Sequence, residues 1–228
     1  MRFSEEIDLR EGLVYDPRVK EFDSSFWKGD TANLLFDASR QAIKIGDTGL
    51  VGSVSSYSQY LYGDFEFSMR FDSLSPDSND SEKFFGLRNL GDSDNKGSAF
   101  FDLSYDSEND TIHTRTDGGV GHFRAVVHGE DTTRVRINIQ WDTLWGGGGL
   151  TTRFRITWEE NGYTFLVNDT VVATIGPGRG NSDSLNDELV INTSIPQAVR
   201  LSNRSLDTTD TNPTQMALLN IRHARKII

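Results

Sequence analysis

FRITWEENGYTFLVNDTVVATI, residues 154 to 175, holds two strictly alternating runs that meet at a tight polar turn. Phe154, Ile156 and Trp158 fall on one face, while Arg153, Arg155 and Thr157 fall on the other. After Glu159-Glu160-Asn161-Gly162 the alternation resumes with Tyr163, Phe165 and Val167, which is the period-two signature of a β-hairpin. A second turn at Asn168-Asp169 feeds Val171 to Ile175. Upstream, YGDFEFSMRFD (residues 62 to 72) alternates as cleanly, with Phe65, Phe67, Met69 and Phe71 inward and Glu66, Ser68 and Arg70 outward. Several such segments in one chain predict a large antiparallel sandwich.

Composition agrees. The 228 residues are 36% hydrophobic and 11% aromatic, enough to furnish a two-sheet core in a single domain. Fourteen Phe, twenty-one Gly and five Pro, with frequent Asp, Asn and Ser, suit many strands joined by polar turns, and no window sustains a helical period for three turns. The fold class is all-β. Strands are expected at 33–37, 41–45, 49–57, 62–72, 83–89, 98–106, 110–116, 121–128, 133–141, 151–158, 162–168, 170–175, 188–192, 197–202 and 215–224, the last closing a sheet with early strands. Residues 1 to 30 mix charged and apolar side chains and are read as an N-terminal arm or edge strand ahead of a domain at 31 to 228.

The YGDFEFSMRF segment resembles the YGxFExRxxF strand of the concanavalin A-like lectin and glucanase superfamily. FRITWEENGYTFLVNDTVVATI likewise resembles that superfamily's W-x-x-x-x-G-x-x-F-x-V-[ND]-x-x-x-V hairpin. The resemblance covers residues 30 to 228 and implies a jelly roll of two curved antiparallel sheets. These motifs encode strand geometry rather than chemistry, and the superfamily includes lectins, laminin G-type modules, retaining glucanases, polysaccharide lyases and non-catalytic parts of virus particles.

Glucanases of this superfamily carry a strand motif E-x-D-x-E or E-x-D-x-x-E, whose outer carboxylates are nucleophile and general acid/base. The corresponding strand here is FFDLSYDSEND, in which Asp102, Ser104 and Asp106 share one face. The outer positions are Asp and the middle carboxylate is missing. A retaining pair needs carboxyl groups about 5 to 5.5 Å apart, whereas strand positions four apart have Cα atoms about 13 Å apart. Two short Asp side chains do not close that gap, so the plain alternative is a solvated strand face. A lyase would need a His or Tyr base and an Arg that neutralises a uronate; His113 with Arg115, and His122 with Arg124 and His128, supply those residue types at alternating spacing. The plain alternative is the polar side of a hairpin.

Other signals concern binding. In DTLWGGGG (residues 142 to 149), Trp145 beside flexible glycine could stack on a sugar, enter a partner subunit or cap the sandwich, and Trp27 invites the same three readings. Calcium is a candidate cofactor: Asp77 with Asp80, Asp92 with Asp94, and the acidic run from Asp106 to Asp110 offer hard oxygen ligands, though Asp and Asn also populate turns for their own backbone hydrogen bonds.

The net charge of −11 argues against nucleic acid as a partner. No cysteine is present, so there is no disulfide framework or thiolate metal site. Neither a secretory h-region nor a long apolar run is found, which predicts synthesis in a cytoplasm and no membrane span. The expectation is a non-catalytic module that binds glycans or other protein subunits. By exclusion it reads as a virion structural or decoration protein at the virion surface, with a carbohydrate-active enzyme, hydrolase or lyase, as the alternative.

Overall fold

The computed structural model describes residues 13–15, 25–39, 41–45, 52–71, 81–91, 96–105, 121–129, 134–139, 151–177, 193–205 and 216–224. Fifteen strands are found in them: β1 Leu13–Tyr15, β2 Trp27–Gly29, β3 Leu34–Asp37, β4 Ala42–Ile45, β5 Gly52–Tyr60, β6 Gly63–Phe71, β7 Ser81–Arg88, β8 Ala99–Tyr105, β9 Gly121–His128, β10 Arg134–Asn138, β11 Thr151–Glu159, β12 Gly162–Val167, β13 Thr170–Ile175, β14 Gln197–Ser205 and β15 Met216–Ala224. The remaining regular element is a single 3-10 turn at Thr31–Asn33. One sheet runs β13-β12-β11-β6-β15-β4-β3, with β1 also paired to β15, and the other runs β10-β9-β8-β7-β14-β5-β2. The result is a jelly-roll β-sandwich of two antiparallel sheets. Among the described residues no helix is long and apolar enough to cross a membrane.

The hairpin behaves as its alternation requires. Phe154 pairs with Val167, Ile156 with Phe165 and Trp158 with Tyr163, and all six side chains are buried. Asn168 and Asp169 both have positive φ (46° and 67°), the left-handed pair that a two-residue hairpin turn demands and that Asn and Asp tolerate best. β11 in turn pairs with β6, so Phe65 and Phe67 join the same inner face.

From the opposite sheet, Phe85 and Phe101 reach across. Phe85 meets Phe154 edge-on at 4.9 Å between ring centroids and Phe67 at 5.7 Å, while Phe101 meets Phe154 at 5.1 Å and Phe165 at 5.2 Å. Each buried ring of this kind contributes about 1.5–3 kcal/mol through removal from water, and each ring pair adds about 0.5–1.5 kcal/mol. One polar link crosses the same core. Gln197 Nε2 donates to the Gly97 carbonyl (2.6 Å) and to the Tyr163 hydroxyl (2.7 Å), and that hydroxyl also donates to Gly97 (3.2 Å). Burial pushes the Tyr163 phenol up, so it stays protonated as a donor.

Two expectations change. β5 runs Gly52–Tyr60, three residues past the expected end at 57, and the expected residues 49–51 lie outside the described residues. Its polar middle pairs with β14 through a bulge in β5: Ala198 faces Gln59 but Arg200 faces Ser55, and the buried Ser56 hydroxyl accepts from the Val199 N–H (3.0 Å). Trp27 is core, 1% exposed and edge-on to Phe26 at 4.6 Å, so it is not a surface ring for a sugar or a partner. Its β2 pairing with β5 puts it opposite the buried Ser56, on the inner face. Strands expected at 110–116 and 188–192 lie outside the described residues.

Gly162 opens β12 with φ +125°, and a Cβ there would stand 2.3 Å from the Ile175 carbonyl oxygen. Gly162→Ala is therefore expected to destabilise the domain by about 1–3 kcal/mol. Urea unfolding checks this: the midpoint should fall at unchanged slope.

Candidate functional site

The outer face of the seven-stranded sheet collects the side chains with chemistry. On β8, Ala99 and Phe101 enter the core, so Phe100 and Asp102 face away from it. The same parity holds across the sheet. β7 sends Phe85 inward and Phe84 outward; β9 sends Ala125 and Val127 inward and Arg124, Val126 and His128 outward; β14 sends Val199 and Leu201 inward and Arg200 and Ser202 outward. Pairing then fixes the neighbours. Ser202, Phe84, Asp102 and Arg124 form one row, and Arg200, Gly86, Phe100 and Val126 the next. Gly86 has no side chain, and a Cβ there would come within 2.8 Å of Phe100 Cβ, so the gap it leaves lets the Phe100 ring sit close to its row neighbours.

Asp102 and Arg124 make the central contact. Arg124 Nη2 donates to Asp102 Oδ2 at 2.7 Å, and both side chains are buried. This corrects the plain alternative for Asp102, which is not on a solvated strand face. The cause is the register: residues 22 apart in sequence become direct cross-strand partners, and opposite charges there attract.

Around that pair stand rings with cations beside them. The Arg200 guanidinium lies 4.5 Å over the Phe84 ring while its Nε donates to Ser53 Oγ (3.1 Å). Phe84 and Phe100 are 5.4 Å apart, and Phe100 lies 5.5 Å from the His128 imidazole. At the sheet edge Lys28 Nζ sits 5.7 Å over the Tyr57 ring, which is 57% exposed. Arg88 ends β7, and burial pulls its guanidinium down from the usual range.

The expected site residues divide sharply. Asp102 and Arg124, read as parts of two different catalytic candidates, are one ion pair. His122 pairs in register with Ser104, two residues along from Asp102–Arg124. Asp106, His113, Arg115 and Trp145 lie outside the described residues, as do Asp77, Asp80, Asp92 and Asp94 of the calcium candidates. Among the described residues no group of three His, Cys, Asp or Glu could hold a metal ion. Phe84, Phe100, Arg200 and Tyr57 escaped the sequence reading. The signal was present for two of them: in KFFG and AFFD adjacent Phe residues sit on strands, and alternation forces one ring of each pair away from the core.

No protein-family model and no curated protein matches the chain. Solved structures do. A pseudo β-1,3-glucanase and immunostimulatory antigen of Mycobacterium tuberculosis superposes with a TM-score of 0.59 at 14% identity, covering 90% of this chain and 93% of that one. A glycosyl hydrolase family 16 protein of Mycobacterium smegmatis gives 0.59 at 13% identity, covering 89% and 94%. The β-glucanase of Bacillus licheniformis gives 0.56 at 11% identity, covering 94% and 99%. Likeness at this identity is likeness of fold, and the chain has the concanavalin A-like jelly-roll fold that these glucanase-type structures share.

Proposed function

We propose that the protein is a non-catalytic glycan-binding module whose ligand lies on the outer face of the seven-stranded sheet, over Phe84 and Phe100. The observation that carries this reading is the Asp102–Arg124 ion pair. The strand position at which the resemblance implies a catalytic carboxylate holds one whose oxygen is spent on a buried guanidinium. A nucleophile or proton donor must meet the reacting atoms within hydrogen-bond reach, and Asp102 Oδ2 meets Arg124 instead. What the face offers a ligand is two half-buried rings, Phe84 and Phe100, with polar groups beside them.

Support from similar structures is consistent in kind. One is described as a pseudo β-1,3-glucanase and others as a β-glucanase or a glycosyl hydrolase family protein. The proposal concerns the module. A setting on a virion surface, with other subunits as partners, remains the sequence-based suggestion, and none of the similar structures named above is a virion component.

Two measurements test it. Affinity electrophoresis through gels holding a panel of neutral and acidic polysaccharides should retard the native chain in at least one gel, and Phe84→Ala or Phe100→Ala should abolish the retardation while lowering Tm by only a few degrees. Release of reducing or unsaturated ends by the native chain, lost in Asp102→Asn, would establish the enzyme alternative instead. If Asp102 is structural, then Asp102→Asn and Arg124→Gln should each cost about 3–5 kcal/mol by breaking a buried ion pair, and the double variant Asp102→Leu/Arg124→Met should recover most of that loss in urea unfolding.

A further inference from the structure

The outer face of the eight-stranded sheet, on the opposite side of the sandwich from Phe84 and Phe100, carries a cluster of its own. Phe65, Phe67 and Met69 on β6 enter the core, so Glu66, Ser68 and Arg70 face outward. Register then surrounds Ser68. Arg153 of β11 and Asn220 of β15 stand directly opposite it, Glu66 and Arg70 flank it along β6, and Arg155 and Arg222, the cross-strand neighbours of Glu66, lie on its diagonals. Opposite positions have Cβ atoms about 4.5–5.5 Å apart and diagonal ones about 7–8 Å, so four arginines stand within reach of one small residue. Ser68 and Glu66 are 6% and 5% exposed despite facing outward, because the longer side chains around them roof the sheet with their stems.

The positive charges of this ring are only partly matched. Arg153 and Arg155 share the Asp169 carboxylate in the hairpin turn, Arg155 Nη2 at 3.5 Å from it. Arg70 and Arg222 make no ion pair among the described residues, and Arg70 Nε and Arg155 Nε are buried without a hydrogen-bond partner. Asp64, the next acid on β6, accepts from the Thr157 hydroxyl. With Glu66 and Asp169 both set against the four arginines, two positive charges stay unanswered.

We infer that this ring of arginines binds a phosphate group, either the free ion or a monoester. Like charges in neighbouring cross-strand positions repel, and a bound anion between them relieves that repulsion. A phosphate monoester carries about −1.5 to −2 charge at neutral pH with three acceptor oxygens, which matches the unanswered charge and lets several guanidinium forks bond it at once. Asn220 adds an amide donor on the far side of Ser68 from Arg153. A carboxylate, with one charge and two oxygens, engages fewer of these groups. The site is independent of the glycan-binding reading, since no residue of it lies on the seven-stranded sheet.

Phosphorus NMR of inorganic phosphate and of glucose 6-phosphate, titrated with the full chain in a chloride buffer at about pH 7.5, where both are mainly dianions, tests the inference. Saturable binding of at least one of them is expected, and the tighter of the two tells the free ion from the ester. Arg70→Gln and Arg222→Gln should each weaken it about tenfold, since a charge-assisted contact is worth about that factor. Asp169→Asn gives a test that does not depend on the arginine variants folding: Asn adopts the left-handed conformation that Asp169 holds at φ 67°, while Arg153 and Arg155 lose their shared carboxylate, so phosphate should bind more tightly. No saturable change with either ligand would overturn the inference, as would displacement of phosphate by an equal concentration of acetate. Unchanged affinity in both arginine variants, or weaker binding in Asp169→Asn, would overturn it as well.

Discussion

The ring cluster of Phe85, Phe101 and Phe154 is the contact on which the rest of the molecule depends. It joins the two sheets, and because side chains alternate along a strand, it also decides what the other side of the sheet displays. With Phe85 and Phe101 committed to the core, Phe84, Phe100 and Asp102 have no choice of face. A slip of one residue in β7 or β8 would bury Asp102 in the sandwich and expose the two core rings, at a cost in lost burial of several side chains. The composition of the outer face is thus specified by the core behind it.

The ion pair follows from the same pairing, since the register of two strands decides which charges meet. On one scaffold, a strand face can hold catalytic carboxylates when they are long, paired and open to a substrate. Here the one described carboxylate of that strand is short and joined to a buried guanidinium across the strand gap. Removing either partner leaves a charge with little solvent around it, so the pair is far easier to keep than to convert stepwise into a catalytic dyad. Sites change while the sandwich persists, and a likeness of fold between this chain and active glucanases is compatible with opposite chemistry.

Most of the fold was legible because period-two alternation is a local property. The hairpin at 154–175 and the strand at 63–71 can be read residue by residue, and β9 and β13 agree with their expected bounds. Where alternation fades, the reading slips: β5 is polar along GSVSSYSQY, and its register comes from a bulge and a serine side chain that only β14 reveals. The site was legible in parts but not in its assembly. Asp102 and Arg124 each stood out as chemistry-bearing residues, yet they belonged to rival hypotheses, because cross-strand partnership is a long-range fact that neither strand states alone. Trp27 misled for the same reason. Apart from Phe26 its neighbours are small, polar or charged, and nothing nearby in sequence announces that β2 docks on β5 with the indole inward.

Charge offers the same lesson at a larger scale. A net charge of −11 describes the field far from the molecule, where it governs solubility and long-range repulsion. The described strands of the seven-stranded sheet have the opposite composition, eight Lys and Arg against two Asp and Glu. The two statements are compatible because turns and strands draw on different residues. Turns recruit Asp and Asn for backbone hydrogen bonds, whereas strand faces accommodate long Arg side chains whose aliphatic stems cover neighbouring apolar surface and rings. An acidic chain rich in turn residues can therefore contain strands of basic composition without any special arrangement, however negative the whole.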